Sequence, residues 1–146
     1  MHFFGHSYPK NLVKARELCE DAAERGDPSA IKNIGFFYHQ GHGVKQDYAK
    51  ALAWYMRAPG HPTVMNNLGV LYYEGAGVPR DTRKALELWE KAVLGLDEVA
   101  HANLAEVYEN GRGVPRDMAK AVLLYRMGAA LGDKESIRSL ARLGVR

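Results

Sequence analysis

The stretch "GAGVPRD" at residues 75–81 has two close copies in the same chain, "GHGVKQD" at 41–47 and "GRGVPRD" at 111–117. Their first residues stand 34 and 36 positions apart. A glycine-rich loop used once suits a phosphate. The same loop at a period in the mid-thirties points to an array of helical hairpins, each of which needs a neighbour to bury its apolar side.

The flanks show what each septet joins. Before it come "AIKNIGFFYHQ" (30–40), "VMNNLGVLYYE" (64–74) and "AHANLAEVYEN" (100–110). Ala30, Ile34, Phe37 and Tyr38 form one stripe of a helix of period 3.6, repeated by Val64, Leu68, Leu71, Tyr72 and by Ala100, Leu104, Val107, Tyr108. After the septets a second stripe runs through Ala51, Leu52, Tyr55 and Ala58, then Ala85, Leu86, Trp89 and Ala92, then Ala121, Val122, Tyr125 and Gly128. The septet is therefore a joint between two amphipathic helices. Gly41, Gly75 and Gly111 suit a left-handed helix end. Val44, Val78 and Val114 plug the joint, Pro79 and Pro115 stop the first helix, and Asp47, Asp81 and Asp117 cap the second. A dinucleotide loop needs a strand before its glycines, and here a helix precedes them.

A weaker copy of the joint, "GHSYPKN" (5–11), has Asn11 in the capping position and is followed by a second-type helix over 12–27. "ESIRSLARLG" (135–144) reads as a first-type helix with no second behind it. The expectation is one all-α domain over residues 1–146, a right-handed α-solenoid of about eight antiparallel helices. Its units are a partial repeat 5–28, repeats 29–62, 63–98 and 99–134, and a partial repeat 135–146. "APGHPTV" (58–64) is two residues shorter than the corresponding "AAERGDPSA" (22–30), and its Pro59 ends the preceding helix early.

Composition sets the outer bounds. Of 146 residues, 47% are hydrophobic and 25% charged, with a net charge of +3, which excludes a disordered chain and gives little support to nucleic-acid binding. No apolar run is long enough to span a bilayer, and the start "MHFFGHSYPK" lacks signal-peptide character. With Cys19 as the single cysteine, no intramolecular disulfide forms, so a cytoplasmic location is expected. Cys19 reads as a small core residue, and Trp54 and Trp89 as core aromatics.

The pattern N-hydrophobic-G-x-x-Y-x-x-G-x-G-V-x-x-D-x-x-K-A resembles the Sel-one-like repeat family, relatives of the tetratricopeptide repeat with a longer joint. It is carried by Asn33, Gly35, Tyr38, Gly41, Gly43, Val44, Asp47, Lys50 and Ala51. It recurs as Asn67, Gly69, Tyr72, Gly75, Gly77, Val78, Asp81, Lys84 and Ala85. The third set is Asn103, Ala105, Tyr108, Gly111, Gly113, Val114, Asp117, Lys120 and Ala121. The resemblance covers residues 5–144 and implies a non-catalytic adaptor that holds another protein in a concave groove. Secreted members often staple each repeat with a cysteine pair, which this chain lacks.

In such a stack the unburied face of each first-type helix lines the groove. The helical wheel assigns to it Ser29, Lys32, Phe36, His39 and Gln40, then Thr63, Asn66, Val70, Tyr73 and Glu74, then Val99, Ala102, Glu106, Glu109 and Asn110. The candidate partner-binding set is Lys32, Phe36, His39, Asn66, Val70, Tyr73, Glu74, Glu106 and Glu109, grading from cationic and aromatic to acidic. Asn33, Asn67 and Asn103 share one register and are expected to make the same backbone bond in every unit.

Other functions are weaker readings. The resemblance also allows an immunity or regulatory protein that neutralises a partner toxin. A metal-dependent hydrolase would need more than His39 and His42, because no third ligand is evident. No serine stands in a nucleophile elbow, so no catalytic residue and no cofactor are expected. Arg80, Arg83, Arg112 and Arg116 are interrupted by Asp81 and Asp117, against a nucleic-acid partner. At one end Arg138 and Arg142 among Ile137, Leu140 and Leu143 suit a polar cap, while Phe3 and Phe4 at the other either fold back over the first helix or mark a sticky end, which leaves self-association through the solenoid ends open.

Overall fold

The computed structural model describes residues 10–41 and 44–145, with backbone alone for residues 10–12. Within them lie eight helices: α1 (Lys10–Glu24), α2 (Pro28–Gln40), α3 (Tyr48–Tyr55), α4 (Pro62–Glu74), α5 (Thr82–Leu94), α6 (Glu98–Asn110), α7 (Met118–Ala130) and α8 (Lys134–Arg142). No strand occurs among the described residues. Each helix packs on the next in sequence, and the first-type helices α2, α4, α6 and α8 also touch side by side, which makes the stack an all-α solenoid.

The joints work as their composition dictates. Gly41, Gly75 and Gly111 take φ of 77°, 69° and 67°, and their amides return to carbonyls of the helix just ended. The Asp47, Asp81 and Asp117 carboxylates accept the amides of Lys50, Lys84 and Lys120 at 3.0–3.1 Å. Their own amides donate to Tyr38, Tyr72 and Tyr108 carbonyls at 2.9 Å, closing the loop onto the first helix. The motif lysine then has a task of its own. Lys50 lies 5.3 Å from the Tyr38 ring centroid, and Lys120 lies 4.3 Å from that of Tyr108 while donating to its hydroxyl at 3.0 Å. Gly77 is required twice over: its φ is +75°, and a Cβ there would stand 2.7 Å from Cβ of Tyr48 in the unit before.

Some expectations are corrected. Phe37, Tyr72, Leu52 and Val122, on the assigned stripes, are half-buried and pack against the core, which also takes in Ile31, Leu88 and Leu124 from off the stripes. Trp54 is half-buried, with the Arg57 guanidinium 4.6 Å from its ring centroid, whereas Trp89 is core. Helix α1 begins at Lys10, so Asn11 lies inside the helix and does not precede it. Cys19 is half-buried. The short junction behaves as its proline requires: α3 has 8 residues against 13 for α5 and α7. His61 supplies no side-chain cap to α4, where Asp27, Asp97 and Asp133 cap α2, α6 and α8. Residues 5–9 of the first joint, Phe3, Phe4, His42 and Gly43 lie outside the described residues.

Candidate functional site

The faces of α2, α4, α6 and α8 enclose three cavities that share lining residues. One, of about 370 Å³, lies among Phe36, His39, Asn66, Val70, Glu74 and Asn103. The next, of about 160 Å³, is bounded by Val70, Tyr73, Glu74, Trp89, Asn103 and Glu106. The last, of about 320 Å³, is bounded by Asn103, Glu106, Glu109, Tyr125, Glu135 and Arg142. Asn103 lines all three, so they form one continuous groove.

Eight of the nine assigned groove residues line these cavities. Lys32 does not. It sits half-buried on α2, beyond the cavity that Phe36 borders. A wheel gives the face a residue stands on, not the neighbour it stands over.

One structural register recurs along the groove, with a different chemistry each time. In the first unit His39 meets Tyr55, with Nδ1 3.5 Å from the hydroxyl and ring centroids 6.4 Å apart. In the second, Tyr73 meets Trp89, with centroids 5.2 Å apart. In the third, Tyr125 donates its hydroxyl to Glu109 at 2.8 Å. The glycine one turn back, Gly35 or Gly69, permits the first two contacts. A Cβ on Gly35 would overlap the Tyr55 ring, and one on Gly69 would stand 2.6 Å from Trp89 Nε1. In the third unit that position is Ala105.

His39 is 9% exposed, and burial lowers its pKa below the usual histidine value, with Glu74 opposing. Burial likewise raises Tyr55. Asn66 is 4% exposed and fully engaged. Its carbonyl accepts the Trp89 indole at 3.1 Å, and its side-chain oxygen accepts the Asn103 amide at 2.8 Å. The repeated asparagines thus bond side chain to side chain through Asn66 on α4, rather than to backbone, and Asn33 is exposed.

Tyr73 is held by arginines from two joints. Arg112 donates to its hydroxyl at 3.1 Å, and the Arg80 guanidinium lies 5.5 Å from its ring centroid. Glu109 accepts both Arg142 amino groups, at 2.7 and 2.8 Å. This pairing, more than the Tyr125 bond, holds its carboxyl below the usual carboxylate range. Tyr125 is pushed up to about 12 by burial and by Glu109. The end of the groove expected to be acidic thereby carries a cation from α8 paired with its carboxylate.

Tyr125, Asn103 and Arg142 line the groove but were not assigned to it by the wheel. The aromatic register of the second helices, at 55, 89 and 125, was the signal for Tyr125. Among the described residues no group of three His, Cys, Asp or Glu side chains is placed to hold a metal ion, and His42 lies outside them. No helix among them is long and apolar enough to cross a membrane.

A model of the Sel1 repeat matches residues 1–27, 28–58, 62–94 and 99–133. A Sel1 repeat protein from Oxalobacter formigenes superposes with a TM-score of 0.77 at 31% identity, over 85% of this chain and 51% of that one. A protective antigen of uropathogenic Escherichia coli strains, displaying an SLR fold, gives 0.80 at 34% identity, over 90% of this chain and 29% of that one. The chain therefore spans about half of the first relative and under a third of the second. Cysteine-rich protein B of Helicobacter pylori shares the fold, with a TM-score of 0.69 at 22% identity, over 94% of this chain and 100% of that one.

Proposed function

The chain belongs to the Sel1 repeat family, and from that premise we propose that it is a non-catalytic binding module that grips a peptide or surface of another protein along the groove of α2, α4 and α6. Sel1 repeat proteins generally mediate protein–protein interactions. The observation that carries the reading here is the continuity of the three cavities along one face, floored by buried side chains that are already packed. A groove held in shape before binding loses little conformational freedom when a partner arrives. Phe36, 40% exposed at the rim, and Tyr73, clamped on its far side, offer aromatic area for a partner to cover.

Panning a random-peptide phage library on the immobilised chain tests this directly. Peptides enriched on the native chain are expected to be lost on a Phe36→Ala, Tyr73→Ala variant whose circular dichroism still shows the full helix content. Equal enrichment on both would place binding elsewhere and end the groove reading.

A further inference from the structure

The groove and the chain carry opposite charge. The chain as a whole is +3, yet the residues lining the three cavities present four carboxylates, Glu74, Glu106, Glu109 and Glu135, against the single guanidinium of Arg142. These carboxylates are not equivalent. Glu109 is doubly bonded to Arg142, and Glu135 is paired with Arg138 at 3.3 Å. Glu106 feels the charge of Arg112, whose guanidinium is tied to the Tyr73 hydroxyl at the rim. Glu74 forms no ion pair among the described residues. It is exposed at the seam between the first two cavities, beside the aromatic edge of Phe36 and the half-buried Val70.

The α8 end of the groove is an internal example of the recognition this permits. There a guanidinium from α8 lies across a groove carboxylate that a tyrosine hydroxyl holds in place. The opposite end has the carboxylate, apolar surface from Phe36, Val70 and Val99, and the amides of Asn66, Asn67 and Asn103, without the cation. Resting on the groove reading above, we propose that the occupant is an extended segment of another protein bearing an arginine or lysine next to an apolar residue, the cation meeting Glu74 and the apolar side chain lying on Phe36 and Val70. Of the three amides, the half-buried ones of Asn67 and Asn103 face the cavity over the buried and engaged Asn66, and they supply polar groups for the backbone of an extended chain, which has no internal partners of its own. Charge complementarity of this kind sets which partners are admitted as much as how tightly they bind.

The test uses the full chain and the peptides selected in the panning. Enriched sequences are expected to carry a basic residue beside an apolar one. For a synthetic peptide of that sequence, fluorescence anisotropy should give affinity about tenfold weaker when its arginine becomes citrulline, and about tenfold weaker for Glu74→Gln. Combining the two changes should add little. Glu74→Lys should weaken binding further, and added salt should weaken native binding more than that of Glu74→Gln. Glu74 is exposed, so these variants keep the fold. Neutral or acidic winners that still need Phe36 and Tyr73 would overturn the cationic occupant while leaving the groove reading intact. So would basic winners indifferent to Glu74→Gln. Winners independent of Phe36 and Tyr73 would overturn both, and salt-dependent self-association of the chain through this face would replace the foreign segment by a second copy.

Discussion

His39 against Tyr55 and Glu109 against Tyr125 occupy the same two register positions, two units apart, and they do opposite things to the groove. The histidine is buried, its pKa lowered, and the space above it is left to Phe36 and Glu74. The glutamate is ionised, drawn to a tyrosine on one side and to Arg142 on the other, and the space above it is bridged. The lesson is that the repeat fixes where a side chain stands, while its chemistry decides whether the carboxylate in that segment of the groove is already paired. Tyr73 against Trp89 lies between them in character as in sequence, an apolar contact with arginines gathered at its rim.

The comparison breaks most severely at the glycines beneath it. Gly69→Ala forces a Cβ into Trp89 and should lower stability by about 1–3 kcal/mol in urea denaturation, an overpacking cost. Ala105→Gly, at the same register in the third unit, creates no clash and should cost about 2 kcal/mol, the helix-propensity difference plus the lost burial of a methyl that is 0% exposed. If Gly69→Ala proved neutral, the close approach of ring to helix would not be what shapes that part of the groove.

A second contrast lies at the turns between units. Gly26 and Gly132 hold φ of 89° and 91°, but the corresponding turn after α5 gives that conformation to Leu96, at φ 63°. A branched side chain there is strained, so Leu96→Gly should stabilise the chain by about 1 kcal/mol, read as a shift in the denaturation midpoint. A loss of stability would mean that the exposed leucine contributes packing that its exposure of 66% conceals.

Acid separates the two ends of the groove. The unfolded chain binds a proton at His39 more readily than the folded one does. Stability from this residue is therefore present above the ordinary histidine pKa and declines as pH falls below about 6.5. Glu109 has its folded pKa lowered too, but it is an acid. Its contribution is present above the ordinary carboxylate value and is lost only as pH falls below about 4.3. Thermal midpoints measured from pH 8 to pH 3 should therefore show a near-neutral decline that His39→Gln removes and an acid decline that Glu109→Gln removes. A profile unchanged by either substitution would contradict the environments assigned to them.

Much of this was legible in the sequence, and the boundary of legibility is physical. Joints could be read because left-handed glycine, proline and capping aspartate act within a few residues of their own positions. The helix faces that line the cavities followed from a period of 3.6. What a wheel lacks is the neighbour. Arg142 reaches Glu109 across 33 positions, and the arginines on Tyr73 come from two different joints, so neither is encoded in any one helix. The same limit hid that Trp54 stands at the edge of the core with Arg57 over its ring, and that Ile31, Leu88 and Leu124 belong to the core.

The most direct test of the central claim is to follow amide and indole resonances of the full chain while a panned peptide is titrated in. The largest shifts are expected on the side-chain amides of Asn66 and Asn103, the Trp89 indole that bonds to Asn66, and backbone amides around Phe36 and Glu74. Shifts concentrated instead on exposed residues of α5 and α7, with the Trp89 indole unmoved, would contradict that claim.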